Sequence, residues 1–485
     1  MGKAIKLGVV GAGSAQFSLG LVRDLCLAES LSGSTVTFMD VDEERLRTIH
    51  RLAERYVEEL GIDLRFEATL EREGALRDAD FVLNTALVGG HEPEEAGRRL
   101  AAEHGYYRGV RLQTNFHQYA MMRSVAQDME RVCPNAWLIQ SSNPVFEGCT
   151  LMTRETGVKV VGLCHGFYGY RRLAETIGVP ADEVEWEAPG VNHWIYLTQF
   201  RHKARDLYPL IDEWIETKAA EYWAAFRGRY GDTQLSRAAI DHYRRVGLMP
   251  IGDASRTFSE WYYHTDLETK RQWYGHLGGF DSEIGWGQYL EGLERNLQRI
   301  HDVASDESLR VTNVIKPERT REIQMPIIDA IANDHPGVFQ VNVPNRGAIE
   351  GIADGVVVEG KALVDASGVK LLHVGRLPDK LMHLVLGPRI AKAERELAAF
   401  LTGDRDLLVS CLLIDDHRTR SLEQAEDFVD AMLSLPWNQD LAKRFGPRRR
   451  PLPAYRLEPA PAPASTSIDI PVGAIKPQVN ELLKG

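Results

Sequence analysis

Residues 5–17 read IKLGVVGAGSAQF, Ile5 to Phe17, and this stretch decides the fold. A largely apolar run, Ile5 to Val10, ends in Gly11-Ala12-Gly13. That pattern predicts a buried parallel strand running into a tight turn. A helix is expected next, with Phe17, Leu21, Leu25 and Leu27 inward. Gly11 and Gly13 match a GxGxxG turn, whose backbone amides approach a pyrophosphate at a helix N-terminus. Gln16 stands where the third glycine would be. Ser14, Gln16 and Phe17 complete the candidate nucleotide turn. The second strand, TVTFMD, ends on Asp40, where an acid suits the ribose of NAD and repels the 2′-phosphate of NADP. Asp40 also reads as an N-cap for the following helix, a role Asp42 would equally fill.

The alternation continues. The stretch 41–60 is an amphipathic helix with acids in its first turn. LRFEAT and ADFVLNTAL read as strands, 116–133 as a helix, and AWLIQSSNPV and KVVGLCHG as strands. Strands alternating with helices predict an open parallel sheet. Asn143, before Pro144 at the end of a strand, points to the ligand crevice of such a sheet and is a candidate contact to nicotinamide or substrate. After about residue 195 the pattern changes to helices at 207–226 and 235–247, strands at 338–352 and 354–369, and helices again over 380–445. The expected division is a dinucleotide-binding domain 1–194, a second α/β domain 195–445 and a tail 446–485 rich in Pro, Ala and Arg.

Composition narrows the function. The 485 residues fit two large lobes or one elaborated α/β domain. A formal net charge of −12 argues against nucleic acid and anionic membranes as partners. It does not exclude an anionic small molecule, since a pocket's charge need not follow the total. Five cysteines, odd and sparse, give no disulfide framework. With no secretory leader and no long apolar span, a cytoplasmic protein is expected.

Cys164 in GLCHGF and His193 in GVNHW sit at expected strand ends in one half of the sheet. Singly, Cys164 reads as a small buried hydrophobe and His193 as a core or loop histidine. Together, thiolate and imidazole suit a borderline divalent ion whose open positions hold substrate oxygens.

The set GAGSAQF, FMDVDEERL, SSNPVFE, GLCHGF, GVNHW, MPIGD and NVPNRG resembles glycoside hydrolase family 4 over about residues 5–445. The Cys-His-Gly version, with EHGYYRGV, YPLIDEWIE and HTDLETKRQW, is similar to its α-glucuronidase subgroup. This family is an NAD-dependent exception to two-carboxylate glycosidase chemistry. The resemblance implies a Rossmann-like NAD-binding parallel sheet plus a C-terminal α/β substrate and oligomerisation domain, as in lactate and malate dehydrogenases. It implies an α-glycosidase of α-linked glucuronides or related hexuronides, working as a homodimer or homotetramer. Its cofactors would be NAD and Mn2+ or another divalent metal. Hydride leaves sugar C3 for NAD, a base removes the C2 proton, the glycosidic oxygen is eliminated, water adds at C1, and the hydride returns.

Residue by residue, the resemblance makes Cys164 and His193 metal ligands, Asn143 a contact to sugar hydroxyls, and Asn192 a second one. It makes Asp253 the C2 base, with Tyr262 and Tyr263 as rivals. It makes His165 an acid for the leaving oxygen and Arg256 a partner for a uronate carboxylate. Asp253 also reads as a turn residue, and Arg256 as a surface or ion-pair residue. RLQTNFHQY lacks the glycine-rich text of many members, and the tail lies outside the resemblance. The alternatives are an α-galacturonidase, α-glucosidase or α-galactosidase of the same family, a sugar or hydroxy-acid dehydrogenase, and a nucleotide-binding regulator without turnover. Only the family readings use Cys164 with His193.

Overall fold

A computed structural model of the chain describes residues 2–231, 233–256, 260–450 and 452–453. Its centre is one twelve-stranded sheet. Six strands, β1 (Lys6–Val10), β2 (Ser34–Met39), β3 (Leu64–Thr69), β4 (Phe81–Asn84), β5 (Trp137–Gln140) and β6 (Lys159–Gly162), are parallel in the order β3-β2-β1-β4-β5-β6. That is the doubly wound order of dinucleotide-binding folds, with the strand order reversing between β1 and β4. The central strands read as apolar runs because helices cover both faces. Leu7, Val9, Val82, Leu83, Leu138 and Ile139 are fully buried.

The sheet does not stop at β6. Next along the chain come β7 (Val184–Glu187), β8 (Gly190–Val191), β9 (Trp194–Leu197), β10 (Gln199–His202), β11 (Arg205–Asp206) and β12 (Met249–Ile251), then β13 (Gly337–Pro344), β14 (Val357–Asp365) and β15 (Gly368–Leu371). Strand β13 pairs antiparallel with β6, and the sheet continues through β14, β8, β9 and β12, with β15 beside β14. Strands β7, β10 and β11 form a separate small sheet. The expected open parallel sheet is therefore half of a larger mixed one. Its antiparallel half comes from chain that sequence patterning assigned elsewhere.

The helices follow the amphipathic rule. Helix Glu43–Leu60 buries Leu46, Ile49, Leu52, Ala53 and Tyr56, with Asp42 as its N-cap. The helix after β1 runs over Ser18–Cys26 and buries Val22, Leu25 and Cys26. The expected inward Phe17, Leu21 and Leu27 are only half-buried, because the helix starts later than the glycine turn suggested. A 23-residue helix, Glu283–Ser305, was not expected at all. It packs along Glu43–Leu60, where Arg55 Nη1 donates to the Val303 carbonyl at 2.7 Å.

Met1–Gly446 forms one compact unit. The tail forms a second, Pro447–Gly485, and residues 451 and 454–485 of it lie outside the described residues. Among the described residues, no helix is long and apolar enough to cross a membrane.

Gly162 ends β6 where the antiparallel half begins, in register with Asn342. A Cβ there would stand 2.6 Å from Val145 Cγ1 and 2.7 Å from Cys149 Sγ. Gly162→Ala should therefore destabilise by about 1–3 kcal/mol through overpacking. A urea titration checks this. An unchanged midpoint would mean the junction is looser than the packing indicates.

Candidate active site

The first element of the site is the turn after β1. Gly11 has φ +85°, and a Cβ there would come within 2.5 Å of Ala86 Cα. Its N–H donates to the Met39 carbonyl at 2.9 Å. Gly13 N–H donates to Asp40 Oδ2 at 2.8 Å, and Asp42 N–H to Asp40 Oδ1 at 3.0 Å. The cap of the next helix is Asp42, whose carboxylate accepts from Arg45 N at 3.1 Å. Asp40 is thus not that cap and instead braces the glycine turn. The Ser18 hydroxyl donates to the Ala12 carbonyl at 2.6 Å, and Thr85 Oγ1 to the Gly11 carbonyl at 2.9 Å.

Ser14, Gln16 and Phe17 line a cavity of about 600 Å³ at the carboxyl ends of the parallel strands. Asn143, Cys164, His165, His193, Asp253 and Arg256 line the same cavity. Gly13 borders a second space, of about 770 Å³, between Glu43–Leu60 and Glu283–Ser305. Gly11 and Asp40 border neither.

Strand register brings the candidate groups together. Val191 pairs with Trp194, so Asn192 and His193 form a two-residue turn between β8 and β9. His193 has φ +69°, in the left-handed region. Non-glycine residues are seldom held there, and such positions cluster at functional sites. Ile251 of β12 pairs with Ile195 of β9. Asp253, beyond Ile251, therefore lies alongside His193, before Ile195. Asp253 Oδ2 is 3.3 Å from His193 Nε2, and Arg256 Nε donates to Asp253 Oδ1 at 2.5 Å. GLCHGF closes against the same turn: a Cβ on Gly166 would be 3.5 Å from Gly252 Cα and 3.7 Å from Cys164 Sγ.

The electrostatics follow from this packing. Burial pushes the Asp253 carboxyl up, but Arg256 and His193 outweigh it and hold it down at about 2. Burial lowers the pKa of His193 against the pull of Asp253. Burial, then Glu359 and Asp253, push the Cys164 thiol up. His165 is 59% exposed, and Glu322, whose Oε1 is 3.1 Å from Nδ1, raises its pKa.

Among the described residues, no three or more His, Cys, Asp and Glu side chains are grouped to hold a metal ion. Cys164 and His193 are two donors of suitable softness on one cavity wall. They fit a cation that takes its other ligands from a substrate.

Some expected residues sit differently. Asn192 does not line the 600 Å³ cavity itself; it donates to Glu359 Oε2 at 3.0 Å and hydrogen-bonds the Cys164 thiol. Arg256 is engaged by Asp253. Tyr263 is buried and donates to Asp241 Oδ2 at 2.6 Å, and neither Tyr262 nor Tyr263 lines the cavity.

Three residues were overlooked in the sequence. Gln118 Nε2 donates to the Asn143 carbonyl at 2.8 Å, while its Oε1 accepts from Val88 N at 2.8 Å, tying the loops after β4 and β5. Glu322 partners His165. Glu359 lies buried on β14 under Asn192. Its signal was legible, as a lone acid within the apolar run VVVEGKALV.

The profile described as Family 4 glycosyl hydrolase matches residues 6–179, and that of the family 4 glycosyl hydrolase C-terminal domain matches residues 188–418. The α-galacturonidase of Thermoanaerobacterium saccharolyticum is 26% identical over 464 residues, covering 88% of this chain and 95% of that one. The α-glucosidase of Erwinia rhapontici is 26% identical over 482 residues, 90% and 99% of the two chains. In architecture the chain is similar to a 6-phospho-α-glucosidase from gut microorganisms solved in complex with NAD and Mn2+. The TM-score is 0.74 at 18% identity, covering 92% of this chain and 100% of that one.

Burial pushes the Glu359 carboxyl up to about 7, against hydrogen bonds from Asn192, Gln340 and Asn342. A carboxyl raised on folding stabilises the native state at low pH and loses that contribution as pH rises through its folded value. Glu359→Gln should therefore gain in Tm relative to the parent as pH goes from about 5 to about 8. Thermal melts in chelator, over that range, test the sign. A constant gap would show that Glu359 does not titrate there.

Proposed function

The chain belongs to glycosyl hydrolase family 4, and from that premise we propose an α-glycosidase of α-linked hexuronides, glucuronide or galacturonide, that uses bound NAD and a divalent cation, manganese foremost. The observation that carries this reading is the single cavity bordered by Ser14, Gln16 and Phe17 on one side and by Cys164, His193 and Asp253 on the other. A plain dehydrogenase has no use for the Cys164–His193 pair. The hexuronide class is supported by Arg111, Arg172 and Arg321 around that cavity, and by the likeness to an α-galacturonidase.

In this reading the glycine turn from Gly11 to Phe17, with Asp40 and Asn143, holds the dinucleotide. Cys164 and His193 hold the cation. When bound, the two groups supply a reversible hydride acceptor and positive charge beside the sugar hydroxyls. The chain's own residues handle the protons. Asp253 is ionised and takes the proton from sugar C2. His165, kept basic by Glu322, is protonated readily near neutrality and gives a proton to the departing glycosidic oxygen. Asn143, exposed in the cavity, orients the sugar. Arg256 keeps Asp253 ionised and fixed rather than meeting the substrate directly.

The test is release of nitrophenol from aryl α-glucuronide, α-galacturonide, α-glucoside and α-galactoside in reducing buffer, with NAD and Mn2+ added separately and together. Release should need both and be largest for a uronide, with no net NADH. Cys164→Ser should lower it by roughly two orders of magnitude or more. NADH accumulating on a free sugar, with no nitrophenol from any glycoside, would replace this reading with a dehydrogenase.

A further inference from the structure

A separate cavity, of about 530 Å³, lies among three helices, and no described residue lines both it and the large cavity. Helix Ala219–Ala225 brings Tyr222 and Trp223 to it, with Phe226 just beyond. Helix Leu267–Tyr274 brings Arg271 and Trp273, and helix Arg237–Val246 begins there. Tyr222, Trp223, Phe226 and Trp273 are half-buried, and both arginines are exposed. The chain has a net charge of −12, yet no described acid lines this cavity.

The rings are held in place. Trp223 Nε1 donates to the Leu235 carbonyl at 2.8 Å, and Trp273 packs edge-on against Tyr263 at 4.7 Å between centroids. Gly275 has φ +87°, and a Cβ there would stand 3.0 Å from Phe226 Cδ1. The Arg237 guanidinium lies 6.0 Å from the Trp223 ring centroid and 5.4 Å from that of Trp273. Its hydrogen bond to the chain is a long one, Nη1 to the Gln272 carbonyl at 3.4 Å. Arg271 is shared with Glu268 at 3.4 Å, whereas Arg237 has no acid partner among the described residues. A guanidinium stacked on aromatic rings keeps its edge donors available to an incoming acceptor.

The volume falls within the range of about 300–1,000 Å³ usual for small-molecule sites. Stiff aromatic rings offer a flat apolar surface at low entropic cost. A guanidinium offers two parallel donors to a carboxylate. A ligand that uses both is a ring with an apolar face and an acid group. A hexuronate has that form: the C–H face of its pyranose suits the tryptophans, and its C6 carboxylate suits the arginine. We propose that this cavity is a second, non-catalytic binding site for a hexuronate, with Trp223 and Trp273 against the sugar ring and Arg237 on the carboxylate. The choice of a sugar acid rests on the hexuronide reading above. The preference for an anionic ring rests on the cavity alone.

The experiment is fluorine NMR of the full chain labelled with 5-fluorotryptophan, loaded with NAD and with Mg2+ as a diamagnetic cation. Trp223, Trp273 and Trp286 are assigned by single Trp→Phe variants. Trp286 lines the large cavity, so it reports on that site while the other two report on this one. The titrants are D-glucuronate, D-galacturonate, D-glucose, D-galactose and AMP. Trp223 and Trp273 should shift saturably with a hexuronate, with a Kd about tenfold or more below that of the matching hexose. Arg237→Gln, at an exposed position, should erase that preference and leave the Kd read at Trp286 unchanged. Trp286 shifting while Trp223 and Trp273 stay still would overturn the second site and keep the hexuronide reading. A preference that survives Arg237→Gln, or an equal response to hexoses, would overturn the carboxylate seat. Shifts with AMP and none with uronates would make this a nucleotide site instead. Shifts on dilution alone would make the cavity a contact between copies of the chain and likewise overturn the proposal. Trp286 silent with every uronate would overturn the hexuronide reading, and with it the choice of ligand here.

Discussion

The two halves of the sheet meet at β6 and β13, and the site depends on that meeting. Asn342 pairs with Gly162, and the close approach of Val145 and Cys149 leaves no room for a side chain on Gly162. From β13 the antiparallel half runs outward through β14 to β8 and β9, whose turn holds His193. Cys164 follows β6 directly. The cysteine and the histidine are thus placed by one continuous hydrogen-bonded lattice rather than by two bodies that must dock. Functional groups on strand ends are held more tightly than groups on free loops. This is why a fold that begins as a dinucleotide-binding sheet can fix a second constellation at its far edge.

Burial then sets the chemistry. Cys164, His193, Asp253 and Glu359 lie close enough to shift one another. Burial disfavours each ionised form, and the outcome turns on the partner each group finds. Asp253 finds Arg256 and stays ionised. Glu359 finds neutral amides from Asn192, Gln340 and Asn342, which do not offset its burial, and is pushed upward. Two neighbouring buried carboxyls are thus separated in proton affinity by their surroundings.

The parallel half of the fold was legible because its strands are apolar runs with glycine and aspartate at their ends. LRFEAT coincides with β3, and the order of strands through β6 is as read, while the helices Arg72–Leu76, Glu92–Glu103 and Val145–Glu155 between them were not. The antiparallel half was less legible for a physical reason. Strands β8, β9 and β12 have two to four residues each, too short for a period-two pattern to declare itself. The helix Glu283–Ser305 carries Gly285, Gly287 and Gly292, which lower its intrinsic propensity, and tertiary packing overrides that. Within the cavity, motif reading singled out Cys164 and His193 at expected strand ends, and the family resemblance of MPIGD added Asp253. It did not reach Gln118 or Glu322. Their neighbours in sequence are ordinary helix and loop residues, and their partners are remote in the chain.

The net charge of −12 described the surface and not the cavity. Inside, two of the cations considered above stand beside acids: Arg256 with Asp253 at 2.5 Å and Arg111 with Glu94 at 3.7 Å. Pairing keeps the cost of burying guanidiniums low, because an isolated buried charge would be far more expensive. It also fixes each planar group in one orientation before any ligand arrives. A polar surface already oriented need not reorganise when charge develops on a bound molecule, and that is where electrostatic catalysis gains most over water. The same pairing lets an acidic protein hold oriented donors around a cavity. Local geometry, and not total charge, decides what the cavity attracts.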